Sequence, residues 1–128
     1  MPEQAGIMMK NDGFTLLELI TVLLILGMLS AIAIPKYFDL RNEAINKAVE
    51  GALAEGVSRI NTYFGQSVVN GIDPDSIAYT SDNLGSDAGD FTLSYNASGS
   101  SITVTAEGKT GSAVSGASSS KTVERPGV

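Results

Sequence analysis

Residues 14–34 hold one charged side chain, Glu18, in an otherwise apolar, small or hydroxyl-bearing run. As a helix at 1.5 Å per residue, this run is about 30 Å long, the thickness of a bilayer's hydrocarbon core. It is too long and too uniformly apolar for one face of a small domain to cover. A carboxylate at the centre of a membrane helix costs roughly 2.5–3.5 kcal/mol on insertion scales. Chains rarely carry such a charge without a partner to meet it; the alternative for Glu18, in the first helical turn, is snorkelling to the headgroups, which is physically cheap there.

Three readings of the run compete: a plain membrane anchor, a cleaved secretory signal, and a helix that leaves the membrane for an assembly. The secretory reading has a small-residue site at Ala31-Ile32-Ala33, but the run exceeds the usual apolar core of such signals and contains Glu18. The anchor reading accounts for the length and leaves Glu18 unexplained.

The string Gly13-Phe14-Thr15-Leu16-Leu17-Glu18, with the apolar run behind it, closely resembles the processing and assembly signal of type IV pilins and of type II secretion pseudopilins. The resemblance implies that a prepilin peptidase/methyltransferase cuts between Gly13 and Phe14 and N-methylates Phe14. Glycine suits the cleavage position because it has no side chain to obstruct the backbone. Glu18 would then face a new amino-terminal charge, its own or a neighbour's, and each charged form would stabilise the other. Lys10 is the only base near the site, Asp12 precedes Gly13, and Met1, Met8 and Met9 are all candidate starts.

Gly27 and Pro35 fit the same pattern. Proline removes the donor that would reach the carbonyl of Ala31, and Gly27 costs about 1 kcal/mol relative to alanine. Residues 27–35 are therefore expected to be a weak stretch of helix, which in assembled relatives loosens and allows extension. Charge counting alone, with Lys10 before the run and Lys36, Arg41 and Lys47 after it, favours the opposite orientation from the family's. The outward placement of the carboxyl-terminal part rests on the resemblance.

Beyond Pro35 the helical pattern continues. Ile45, Val49, Leu53, Val57, Ile60 and Phe64 recur every three or four residues and form one apolar stripe. Ala48, Ala52 and Gly56 make a small-residue edge, Glu43 with Lys47 and Glu55 with Arg59 are spaced as ion pairs, and Gly65 is the expected stop. The words Pro35-Lys36-Tyr37-Phe38-Asp39-Leu40 and Val49-Glu50-Gly51-Ala52 resemble the mannose-sensitive haemagglutinin type of pilin, within the type IVa class. The resemblances cover about residues 9–65.

Residues 66–90 read as an irregular acidic loop. Asp73, Asp75, Asp82, Asp87 and Asp90 are the candidate ligands should it hold calcium, although the spacing matches no compact calcium loop and a solvated surface is the favoured reading. Phe91, Leu93 and Tyr95, then Ile102, Val104 and Ala106, alternate with polar residues as half-buried strands do. Residues 96–100 are the expected turn, residues 121–124 a third strand, and residues 111–120 a flexible Gly/Ser/Ala-rich loop.

The expected fold is α+β, with a long amino-terminal helix packed on a small antiparallel sheet. It divides into a leader (residues 1–13), a membrane and filament-core segment (14–35), the amphipathic half of the same helix (36–65) and a globular remainder (66–128). The net charge of −6 and the lack of a basic patch argue against nucleic-acid binding. Without histidine or cysteine the chain lacks the usual zinc ligands and the commonest general base, so neither an enzyme nor a cofactor is expected.

The resemblance implies a structural subunit of a homo-oligomeric filament. It would reside in the bacterial inner membrane, meet the pilus assembly machinery there, and end in an extracellular pilus serving adhesion, motility or DNA uptake. The alternative is a type II secretion pseudopilin in a periplasmic piston. An electron-conducting filament would use Phe14, Tyr37, Phe38, Tyr63 and Phe64, which packing explains equally well.

Overall fold

A single helix, α1 (Leu16–Val69), contributes to both of the units into which the chain divides, Met1–Leu40 and Arg41–Val128. The computed structural model describes Gly13 and residues 15–128. Leader residues 1–12 and Phe14 lie outside the described residues.

In the first unit α1 runs unbroken through Pro35. The large apolar side chains from Leu16 to Leu40 are exposed. Among the described residues this is the one helix long and apolar enough to cross a membrane.

In the second unit α1 packs on a four-stranded antiparallel sheet in the order β1-β2-β3-β4: β1 (Asp87–Ala88), β2 (Phe91–Ser98), β3 (Ser101–Gly108) and β4 (Ser118–Glu124). The expected stripe does the packing. Val49, Leu53 and Ile60 are buried, while Ile45, Val57 and Phe64 are partly buried against the same core. They meet Phe91 and Leu93 of β2 and Ile102, Val104 and Ala106 of β3, the inward residues of the two alternating strands. Of the small-residue edge, Ala52 and Gly56 are buried and Ala48 is exposed. A methyl group at Gly56 would lie 2.5 Å from Val104 Cγ1, so glycine is what lets helix and sheet approach this closely.

Several local expectations are corrected. The helix does not stop at Gly65 but continues to Val69. Ser67 is buried, and Gly71 supplies the left-handed turn (φ 80°) that ends the helix. Gly71 N–H donates to Val68 O (2.9 Å) and Ile72 N–H to Ser67 O (2.9 Å), which is a Schellman cap. Lys47 pairs with Glu50 (3.3 Å) rather than Glu43, whereas Arg59 does pair with Glu55 (3.0 Å). The sheet has a fourth strand, the two-residue β1, and the β2–β3 turn contracts to Gly99 and Ser100. The third expected strand begins earlier, at Ser118, where Thr103 and Thr122 (2.9 Å) and Thr105 and Ser120 (2.8 Å) join their hydroxyls across the pair. The segment expected to be a flexible loop also buries Val114 beneath Gly108, where a side chain would strike Val114's carbonyl.

The acidic segment is more ordered than its composition implies. Asp73 caps a 3-10 turn (Pro74–Ser76), and Thr80 caps a short helix, α2 (Ser81–Leu84). Ile77, Tyr79 and Leu84 are buried, three apolar anchors in a polar run. Two arginines from elsewhere in the chain hold the backbone on either side of these anchors. Arg59 donates to the carbonyls of Gly85 (2.9 Å) and Asp87 (2.7 Å). Arg125, just past β4, donates to those of Asp75 (3.0 Å) and Ile77 (2.8 Å) and lies 5.4 Å from the centre of the Tyr79 ring. Burial pushes the Tyr79 and Tyr95 hydroxyls above their ordinary pKa, with Arg125 and Arg59 respectively opposing the shift.

Two exposed-helix and core substitutions separate these effects. Gly51→Ala meets nothing within 4 Å and should raise stability by about 0.5–1 kcal/mol, whereas Gly56→Ala overpacks Val104 and should lower it by about 1–3 kcal/mol. Thermal unfolding of the full chain in detergent, followed by circular dichroism, reads both signs. Arg125→Ala should leave the α1–sheet core folded but make residues 72–79 the first site of limited proteolysis, because the Asp75 and Ile77 carbonyls lose their charged donor.

Candidate assembly site

The start of α1 is closed by a reciprocal pair of hydrogen bonds. Glu18 N–H donates to Thr15 Oγ1 (3.2 Å), and Thr15 N–H donates to Glu18 Oε2 (3.2 Å). Leu19 N–H completes the first turn on Thr15 O (3.1 Å). This is a capping box: two of the donors that a helix leaves unsatisfied at its amino end are met by a Thr-x-x-Glu pair. The carboxylate also sits at the positive end of the helix dipole. Sequence reading placed Glu18 as an assembly residue and missed the cap, although Thr15-Leu16-Leu17-Glu18 spells it out.

Apart from this bond, Glu18 has no ionic partner among the described residues. Its surroundings are Leu17, Thr21 and Val22, which line a shallow, mainly apolar trough with it. A carboxylate with one oxygen on the helix end keeps lone pairs for a second donor. Gly13, at the expected cleavage position, is exposed with φ 83°, a conformation that side chains disfavour, and no described residue crowds it. Phe14, the expected first mature residue, is outside the described residues.

Gly27 and Pro35 both lie within the continuous helix, and Gly27 faces open space. Thr21 and Ser30 return their hydroxyls to the carbonyls of Leu17 and Leu26 (2.7 Å each), bonds that keep these polar groups satisfied in an apolar setting.

The five loop aspartates are not brought together. Among the described residues there is no group of three or more potential metal ligands. Asp73 is occupied as a cap, and Asp82 lies in the first turn of α2. Asp87 is hydrogen-bonded to Lys109 (2.6 Å), whose hydrogen bond and charge hold its pKa below the usual carboxylate value. Asp90 uses its main-chain carbonyl to accept from Lys109 N–H (2.8 Å).

The prokaryotic N-terminal methylation motif matches residues 8–34, which covers Gly13, Phe14, Glu18 and Gly27. The chain is 35% identical over 111 residues to the type IV narrow pilus major component PilA5 of Thermus thermophilus, an alignment covering 80% of this chain and 93% of the relative. It is 41% identical over 54 residues to the type IV major alpha-pilin and to fimbrial protein Q of Moraxella bovis, covering 42% of this chain and 34% of each relative. No solved structure matches. With a capped apolar helix carrying one carboxylate at its first turn, an α+β unit behind it, and a pilin relative aligned along nearly its whole length, the chain belongs to the type IV pilins.

Proposed function

We propose that this pilin is a major structural subunit, polymerised through α1 into a pilus on the cell surface. The observation that carries this reading is the bare apolar surface of α1 from Leu16 to Leu40. Among the described residues nothing covers it, which fits lipid doing so before assembly and other copies afterwards. The major pilin role of the Thermus relative, which matches over most of this chain, supports the same reading.

In this reading residues 1–13 are a leader removed by the prepilin peptidase, and Phe14 becomes the methylated amino terminus. The subunit waits in the inner membrane until the assembly machinery extracts it. Glu18 has two tasks. One oxygen closes the helix end through Thr15, and the charge receives the new terminal amine of its own chain or a neighbour's. Gly27 and Pro35 lower the cost of loosening the helix once it is in the filament.

Peptide mass spectrometry of sheared surface material is the direct test. The expected result is a first residue of methylated Phe14 in long filaments. A chain that still carries Lys10 to Gly13 would leave only a membrane anchor.

Two substitutions separate Glu18's tasks. Glu18→Gln keeps a capping-box side chain and loses the charge, whereas Glu18→Ala loses both. Both variants should be processed. If the charge drives assembly, both should also lose most surface filaments in shearing assays. Filaments retained in Glu18→Gln but lost in Glu18→Ala would reassign the residue to helix capping alone.

A further inference from the structure

In the unit Arg41–Val128 the exposed large apolar side chains are Val68, Val69, Ile72 and the terminal Val128. Three of these four lie together where α1 ends, and the Schellman cap fixes Ile72 beside the last helical turn. Val69 is 86% exposed, and with Val68 and Ile72 it makes a contiguous patch instead of a scattered single residue. The edge of this patch is negative. The last turn of α1 has no basic residue to offset the helix dipole, and Asp73 and Asp75 follow without an ion pair among the described residues. Two such patches placed face to face would oppose like charges, so the partner must be apolar and cationic.

The same chain carries a surface of that kind. Tyr37 (65% exposed), Phe38 (51%) and Leu40 (54%) are bracketed by Lys36 and Arg41, which have no ion pair among the described residues, while Asp39 of the same segment falls on the side of the helix away from Tyr37, about 160° round at 3.6 residues per turn. Four other cations among the described residues are occupied: Lys47 by Glu50, Arg59 by Glu55, Lys109 by Asp87, and Arg125 by loop carbonyls. Lys121 is unpaired but sits among serines and threonines, with no apolar surface beside it. We infer that the carboxyl end of α1 (Val68, Val69, Ile72) seats residues 36–41 of a second copy. Such a contact joins two different patches, head to tail, and so propagates as an open filament instead of closing as a dimer. The inference rests on the filament reading above and names a contact within it.

The absence of cysteine makes the test clean. Intact filaments of the double variant Phe38→Cys, Val69→Cys are oxidised and run without reductant. The expected result is a ladder of disulfide-linked multimers, absent from either single variant. Well-formed filaments of the double variant that stay monomeric would overturn the seat, as would dimers from Val69→Cys alone. Should the double variant fail to polymerise, a photoreactive benzophenone residue at position 69 replaces it. Crosslinks to residues 36–41 of another chain support the contact, and crosslinks elsewhere overturn it. Failure of the unsubstituted protein to form filaments would remove the filament reading itself, and this contact with it.

Discussion

One helix has to satisfy two incompatible surroundings. The part up to Ile34, Glu18 apart, presents apolar side chains outward all round, while the part beyond Arg41 turns one apolar stripe onto a sheet and leaves its other face polar. Neither half could do the other's work. A helix apolar on every side has no preferred face to dock on a small sheet, and an amphipathic one would carry its charges into lipid. The arrangement assigns filament formation to a surface the folded subunit cannot cover for itself. The described residues fold without covering this surface, which fits a membrane-anchored precursor and a filament of copies.

The globular part has a small core and no disulfide to assist it. Close packing at Gly56 brings the helix against Val104 and Leu93, so the few large side chains are buried completely. Arginine takes over the task of tying long connections. Arg59 and Arg125 reach the same connecting segment from opposite ends of the fold's sequence and bond to its carbonyls, not to its carboxylates. A guanidinium suits this because its donors diverge and can serve several carbonyls at once. The aspartates of the segment are thereby left for capping, as in Asp73, or for a surface pair, as in Asp87 with Lys109.

What the sequence revealed followed from periodicity. The stripe from Ile45 to Phe64 and the alternation in β2 and β3 each bury the residues their spacing selects. What it hid was decided by partners distant in sequence. Residues 66–90 look like an unstructured acidic loop because nothing nearby shows that Arg59 and Arg125 will hold them. The helix outran Gly65 because a glycine ends a helix only where the chain must turn left-handed, and that need arises at Gly71. Ser118 to Ser120 read as loop by composition, yet they begin β4, where Ser120 joins its hydroxyl to Thr105 of β3 as Thr122 does to Thr103. The Thr15–Glu18 box was legible and was obscured by a more specific reading of the same glutamate.

That double reading of Glu18 bears on how processing and assembly are ordered. Before cleavage, the chain continues amino-terminally through Gly13, and the carboxylate's local donor is the Thr15 main chain. Cleavage after Gly13 would create a cation one residue before the cap, close enough in sequence to compete for the same oxygens. On the proposed reading, the bond from Thr15 N–H would already hold the side chain beside the helix end when the amine forms, leaving less side-chain entropy to be lost. Capping and pairing would, on that reading, be successive uses of one carboxylate. A glutamate suits both tasks because it accepts from a backbone amide and still carries the full charge that an ammonium requires.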